Sequence, residues 1–172
     1  LGWGDSQAQL QMLLKNSNGQ LSERSLRIKS LEVRNDGDKS LTIFDNPKDV
    51  KGTAFLSHTH SLKADDQWLY LPSIKRVKRI ASANKSGPFA GSEFAYEDLS
   101  SFELEKYNFE WIKDEYVNES KHSIIKAIPQ YKYSGYTSLL LSIDNNIMRP
   151  VKIIYFDRKG ELLKTLTQHN FR

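Results

Sequence analysis

The chain has 172 residues, of which 38% are hydrophobic and 11% aromatic, and this length and composition predict a single domain over residues 1–172. Its 25 Lys and Arg against 21 Asp and Glu give a net charge of +4, too small to indicate a nucleic-acid-binding protein by itself. The absence of cysteine excludes disulfides, thiolate metal sites and a cysteine nucleophile, and no apolar run approaches the roughly 18 residues of a membrane-spanning helix.

Alternation of apolar and polar residues predicts β-strands through the first half of the chain. Tight turns are expected at Asn18-Gly19 and at Asn35–Asp38. Pro47 and Pro72 are expected to end the third and fifth strands, because proline cannot donate a ladder hydrogen bond. The six predicted strands centre on Ala8–Leu14, Leu26–Ile28, Leu41–Phe44, Gly52–His58, Trp68–Leu71 and Arg76–Ile80.

The second half continues the same pattern after a predicted loop at Ser82–Ser92 and a short helix near Tyr96–Ser100. Turn-like segments at Asp144–Asn146 and Asp157–Gly160 separate its last strands. About ten short strands joined by consecutive hairpins are typical of an antiparallel, all-β sandwich or barrel. The strands of this half are predicted at Tyr107–Trp111, Ser123–Ile128, Tyr136–Ile143, Val151–Phe156 and Leu162–Thr167.

One histidine pair could carry metal chemistry. His58 and His60 are two residues apart, so an extended backbone places both on one face, and Asp65-Asp66 follows closely. Histidine and carboxylate together can bind zinc. The H-x-H-x-D-H signature of zinc hydrolases would need Asp and His at positions 62 and 63, where this chain has Leu62 and Lys63. We therefore favour a solvated strand end and polar turn over a metal-dependent hydrolase.

Other catalytic signatures are missing from the sequence. It contains no G-x-S-x-G element, no P-loop and no G-x-G-x-x-G fingerprint. Gly87 and Gly91 flank Pro88-Phe89-Ala90, which is too short and too hydrophobic to cradle a phosphate. We predict a protein that is not an enzyme, with no catalytic residue, no metal and no cofactor.

Lys75, Arg76, Lys78 and Arg79 form a basic cluster. On a strand these cations point to both faces, which a fully buried strand does not tolerate. The cluster fits a solvated edge strand whose lysines oppose aggregation, or an edge that binds the phosphate of a lipid headgroup. Nucleic acid is disfavoured as a partner because the chain shows no sustained basic stripe and no reader motif.

Aromatic residues are concentrated in two parts of the chain. Most aromatic side chains simply fill a core, but a curved sheet rich in rings can also enclose an apolar ligand cavity. The residues concerned are Trp68, Tyr70, Phe89, Phe94, Tyr96, Tyr107, Phe109 and Trp111.

Four segments carry a resemblance to a known family. In their order along the chain, they resemble a bacterial family of outer-membrane lipoprotein-sorting proteins related to the LolA and LolB carriers. The opening LGWGD is similar to the start of the family's mature domain. The segments are DVKGTAFLSHTH (Asp49–His60), DDQWLYLPSIKRVKRI (Asp65–Ile80), SGPFAGSEFAYEDL (Ser86–Leu99) and IYFDRKGELLKTLT (Ile154–Thr167).

This resemblance implies a mainly β fold with a strongly curved antiparallel sheet, an unclosed half-barrel whose concave face is covered by a short helix or loop. Trp68–Leu71 would lie on a central strand and Ser86–Leu99 would form the cover. Family members usually begin with a signal peptide and continue beyond this chain's end, so we expect this to be the main domain of a longer periplasmic protein.

The resemblance also implies a carrier in outer-membrane lipoprotein sorting or lipid transport. Its partners would be lipoprotein acyl chains or phospholipid, with an inner-membrane transporter as a further candidate. The alternative is a non-enzymatic interaction module that partners an envelope transporter and has a filled core instead of a cavity. The residues we predict to bind the ligand, with the two cations near an anionic headgroup, are Trp68, Tyr70, Leu71, Arg76, Lys78, Phe89, Phe94 and Tyr96.

Overall fold

The computed structural model describes residues 4–61 and 63–171. Leu1–Trp3 of the opening segment lie outside the described residues. The chain divides into two compact units, an N-terminal unit (Leu1–Glu103) and a C-terminal unit (Leu104–Arg172). Each unit is built on one antiparallel sheet, and neither sheet closes on itself.

The N-terminal unit holds a six-stranded sheet whose spatial order follows the sequence. Each strand pairs with the next through a hairpin or a short connection, which is the arrangement that alternating strands and closely spaced turns favour. Strands β1 and β6 are therefore the edges of this sheet. The strands are β1 (Asp5–Lys15), β2 (Leu21–Leu31), β3 (Lys39–Asn46), β4 (Ala54–His58), β5 (Asp66–Leu71) and β6 (Arg76–Ile80).

One face of this sheet carries the core of the unit. Leu26, Phe44 and Phe55 are buried there together with Phe89, which comes from the segment after β6. The ring of Phe89 lies 5.7 Å from that of Phe44 and 5.4 Å from that of Phe55. The predicted cover, Ser86–Leu99, thus packs on this face and shields it from water.

The described residues of the N-terminal unit include three 3₁₀ helices, at Pro72–Ile74, Ser82–Asn84 and Tyr96–Leu99. The last corresponds to the helix predicted near Tyr96–Ser100. Its first turn is closed by Asp98, whose carboxylate accepts a hydrogen bond from the backbone N–H of Ala95 at 2.7 Å. No helix among the described residues is long and apolar enough to cross a membrane.

The C-terminal unit begins with a 3₁₀ helix at Leu104–Lys106 and holds a five-stranded sheet in the order β11-β10-β9-β8-β7. The core lies on one face, where the rings of Tyr136 and Tyr155 are 4.9 Å apart. The ammonium of Lys164 lies over both rings, 4.8 Å from the Tyr155 centroid. The strands are β7 (Tyr107–Val117), β8 (Ser120–Pro129), β9 (Tyr136–Asp144), β10 (Arg149–Asp157) and β11 (Leu162–Thr167).

The prediction of a mainly β, antiparallel and unclosed fold is confirmed. One detail differs, because the hydrogen bonds divide the described strands between two sheets, whereas the family resemblance implied one strongly curved sheet. A second difference concerns β5, which is the penultimate strand of its sheet and not a central one.

Candidate functional site

The eight residues predicted to bind ligand all lie in the N-terminal unit but on different surfaces. On β5, strand alternation turns Trp68 and Tyr70 away from the face that carries the core. Trp68 is paired with Leu56 and Tyr70 with Val77 on the neighbouring strands. Leu56, Tyr70 and Val77 are 39%, 36% and 66% exposed. We call Leu56, Trp68, Tyr70 and Val77 the apolar strip.

Phe89 and Tyr96 are brought together on the opposite, covered face. Their rings are 5.6 Å apart in an edge-to-face arrangement, and Phe89 is only 2% exposed. Burial raises the pKa of the Tyr96 hydroxyl. These two rings join the cover to the sheet, so in this conformation they fill the core, as most aromatic residues do.

Leu71, Arg76 and Lys78 lie at the β5–β6 edge. Arg76 is paired with Leu71, and Lys78 with Leu69, so both cations share the face of the core. The side chains of β6 are exposed except for the half-buried Ile80. This position at the edge of the described sheet agrees with the solvated-edge interpretation of the basic cluster.

Phe94 lines a concavity of about 1200 Å³ beside the β1–β2 hairpin. Met12, Leu14 and Leu21 supply its apolar wall, and Arg24 supplies a cation. The Arg24 guanidinium donates to the carbonyl of Ala90 and so ties the hairpin to the cover.

A second cavity, which the sequence analysis did not find, lies on the C-terminal sheet. Its volume is about 640 Å³, within the range of about 300–1,000 Å³ that ligand pockets usually have. It lies on the face opposite the core, because its residues alternate with the core residues along β8, β9 and β10. Its aliphatic lining consists of Val117, Ile124, Leu140, Val151 and Ile154.

The sequence did contain a signal for this cavity. Ile124-Ile125, Leu139–Leu141 and Ile153-Ile154 are consecutive apolar runs, and such runs indicate strands that are apolar on both faces. One face of these strands holds the core and the other holds the cavity.

Polar groups occupy parts of the same cavity lining. His122 is 6% exposed, and its Nδ1 lies 2.9 Å from Ser142 Oγ while its Nε2 lies 3.6 Å from Asp144 Oδ2. Lys113 and Lys152 add two exposed cations, and Lys113 forms an ion pair with Glu115 of the same lining at 2.7 Å. An aliphatic wall beside cations suits an amphiphile with an anionic end.

The histidine pair in the N-terminal unit has a geometry that the sequence only partly predicts. The rings of His58 and His60 are 4.1 Å apart, although β4 ends at His58 and His60 lies two residues beyond it. The interpretation as a solvated strand end is wrong for His60, which is only 2% exposed. Both rings face Asp36 from the β2–β3 connection, a partner that the sequence analysis did not identify.

Asp36 and its neighbours set the electrostatics of this cluster. The hydrogen bond to His60, with a contribution from the backbone N–H of Gly37, lowers the pKa of Asp36 to about 2. Burial, together with the neighbouring His60, lowers the pKa of His58, which favours the neutral form of its ring. Asp36, His58 and His60 each offer a metal-ligand atom, and these atoms all lie within 4.8 Å of one another.

Comparison with known proteins identifies the family. A family model described only as an uncharacterized protein matches residues 36–172. A solved structure described as a "putative outer membrane lipoprotein-sorting protein domain" from Vibrio parahaemolyticus is 60% identical, with a TM-score of 0.96 over 99% of this chain and 72% of that chain. The chain belongs to this lipoprotein-sorting family. The resemblance noted in the sequence is thereby confirmed.

Two more distant structures extend the comparison. A DUF1329 family protein from Desulfovibrio piger ATCC 29098 is 26% identical, with a TM-score of 0.86 over 92% of this chain and 68% of that chain. A LolA superfamily protein from Nitrosomonas europaea is 20% identical, with a TM-score of 0.68 over 98% of this chain and 69% of that chain, and it shares the fold. No curated protein matches the chain.

Proposed function

We propose that this lipoprotein-sorting family member is a non-enzymatic periplasmic carrier that binds acyl chains of lipoproteins or phospholipids. The observation that carries the proposal is the cavity of about 640 Å³ on the C-terminal sheet, with its aliphatic wall and the nearby Lys152. The family relationship supports the same function, since the relative from Vibrio parahaemolyticus is described as a lipoprotein-sorting domain.

The cavity lining accounts for how an acyl chain would be held. Ile124 is paired with Ser142 and Leu140 with Ile154 across adjacent strands, so aliphatic side chains extend across three strands of the sheet. Each methylene buried against this wall contributes about 0.8 kcal/mol. Lys152, which is paired with Ser142, places a cation where an anionic headgroup would reach solvent.

Transport by this route needs no covalent step. The carrier would take cargo from an inner-membrane transporter and release it when an acceptor binds the acyl chain more tightly or when the occupied conformation changes. The residues predicted from the sequence lie in the N-terminal unit and do not line this cavity. Of these residues, Phe94 lines the N-terminal concavity, and Arg76 and Lys78 lie at the β6 edge.

A titration with an environment-sensitive fluorescent fatty acid, displaced by phosphatidylglycerol, tests the proposal. Leu140→Trp places a larger side chain in the cavity, and Leu163→Trp makes the same change on β11 at a position that is 51% exposed and outside the cavity. If the new ring displaces two methylenes, binding weakens by about 1.6 kcal/mol, more than tenfold in Kd. We expect this loss for Leu140→Trp and no change for Leu163→Trp. Absence of saturable binding, or equal effects of both variants, would contradict the proposal.

The apolar strip favours a second candidate function, the interaction module. Its exposed side chains lie side by side on adjacent strands, as in surfaces that bind other proteins. Trp68→Glu separates the two candidates. A carrier that uses the C-terminal cavity retains its lipid affinity in this variant, whereas an interaction module loses capture of its transporter partner.

A further inference from the structure

The carrier function proposed above does not involve the cluster of Asp36, His58 and His60. His60 is almost fully buried, and both of its ring nitrogens face carboxylates. Nδ1 lies 2.7 Å from Asp36 Oδ2, and Nε2 lies 3.2 Å from Asp66 Oδ2. His58 Nε2 is excluded from solvent without a hydrogen-bond partner among the described residues, and it lies 3.5 Å from the same Asp36 oxygen.

The three candidate ligand atoms all lie within 4.8 Å of one another, and the separation of one pair is close to that in a tetrahedral metal centre. With bonds of about 2.0–2.1 Å to nitrogen and oxygen, two ligand atoms on a tetrahedral zinc ion are about 3.3 Å apart. The distance of 3.5 Å between His58 Nε2 and Asp36 Oδ2 is close to this value. The 2.7 Å between His60 Nδ1 and Asp36 Oδ2 is a hydrogen-bond distance, which would widen by roughly 0.6 Å when an ion replaces the shared proton.

The surrounding groups supply the support that histidine ligands usually have. A metal-binding imidazole commonly donates its other N–H to a carboxylate, which fixes the orientation of the ring. Asp66 is placed to accept from His60 Nε2, and Arg79 in turn bonds to the Asp66 carboxylate. The backbone N–H of His60 donates to Asp65 Oδ1 at 3.0 Å, and Asp65 forms a buried ion pair with Lys85.

Backbone packing holds the loop that carries Asp36 in place. Gly37 follows Asp36, and a Cβ atom at Gly37 would lie only 2.4 Å from the carbonyl oxygen of Thr59. The N–H of Thr59 donates to the carbonyl of Asp38 at 2.9 Å. The β2–β3 connection is therefore fixed against residues 58–61. Asp36 is 33% exposed, so an ion can reach the cluster from solvent.

We propose that Asp36, His58 and His60 form a binding site for a zinc-class divalent cation, with His60 bound through Nδ1 and oriented by Asp66. Two imidazoles and one carboxylate are ligands that Zn²⁺ prefers. The ion would join the β2–β3 connection to the end of β4 and stabilise the N-terminal unit. This site is separate from the proposed lipid cavity, which lies in the C-terminal unit.

Calorimetric titration of the full, EDTA-treated chain with ZnCl₂ tests the site. We expect one ion to bind per chain and the Tm to rise with Zn²⁺ concentration. His58→Gln and Asp36→Asn should abolish the binding, and Asp66→Asn should weaken it about 10- to 100-fold. His169→Gln, which removes an exposed histidine of the C-terminal unit, is the control and should leave the affinity unchanged.

A measurement on the unchanged sequence keeps the test decisive if a variant does not fold. The chain has 4 histidines, and Zn²⁺ should shift the imidazole NMR signals of His58 and His60 while those of His122 and His169 stay in place. Absence of saturable binding, or a response centred on His122 or His169, would overturn the proposal. These outcomes would not contradict the proposed carrier function, because lipid binding is measured in a separate experiment.

Discussion

Phe89 anchors the Ser86–Leu99 cover to the six-stranded sheet, so Phe89→Ala should destabilise the N-terminal unit strongly. The side chain is 2% exposed and contacts the rings of Phe44, Phe55 and Tyr96. Replacing a buried phenylalanine by alanine costs about 3–5 kcal/mol, because hydrophobic transfer energy is lost and a cavity remains. Such a loss is a large share of the roughly 5–15 kcal/mol that stabilises a typical domain.

Urea unfolding measures this loss. Tryptophan fluorescence in a Trp111→Phe background restricts the signal to the N-terminal half of the chain, since the two remaining tryptophans are Trp3 and Trp68. Phe102→Ala is the matched control, because it makes the same substitution in the same unit at a side chain that is 46% exposed. We expect the control to lose much less stability than Phe89→Ala.

The result also decides between two roles for Phe89. If Phe89 is a core residue, the free energy of unfolding falls by about 3–5 kcal/mol. A loss below about 1 kcal/mol, similar to that of a surface substitution, would refute this reasoning. It would then favour the sequence-based prediction that Phe89 binds the ligand.

Two further predictions concern the Asp36 loop. Gly37→Ala should lower the free energy of unfolding in urea by about 1–3 kcal/mol, because its Cβ would lie 2.4 Å from Thr59 O. Gly87→Ala, whose Cβ would have its closest contact at 3.1 Å, is the control and should lower it less. Equal losses in the two variants would argue against the close approach at Gly37. In metal-free protein, Asp36 has a pKa lowered from 3.8 to about 2, so its contribution to stability is complete above pH 3.8 and disappears as the pH falls through 2. Thermal unfolding across this range should show a weaker acid dependence in Asp36→Asn, and an unchanged dependence would contradict the assignment.

Strand positions were well predicted because alternation is a local property of the sequence. The bounds of β6 (Arg76–Ile80) and β11 (Leu162–Thr167) agree with prediction at both ends. Other strands extend beyond their apolar centres. β7 was predicted to end at Trp111 but continues to Val117, because its polar residues are held by ladder hydrogen bonds to β8. The sequence of one strand does not show whether a partner strand is long enough to pair with it.

The candidate sites depended on contacts between distant parts of the chain, which explains why they were predicted less well. Alternation shows that Trp68 and Leu69 point to opposite faces, but it does not show which face the Ser86–Leu99 segment covers. The Asp36–His60 contact spans 24 residues of sequence, so the pair could not be found from spacing. The consecutive apolar residues in β8 (Ile124-Ile125) and β9 (Leu139–Leu141) did indicate that these strands have a second apolar face. They do not show whether that face lines a cavity or packs in a filled core.

Native mass spectrometry of the full-length protein, purified from a Gram-negative periplasm, tests the carrier function most directly. Organic extraction then identifies anything bound. The account predicts co-purified phospholipid or acylated peptide, and it predicts that Leu140→Trp loses this material while Leu163→Trp and Trp68→Glu retain it. Protein that carries no lipid and takes up none when phosphatidylglycerol is added would contradict the carrier function and favour the interaction module.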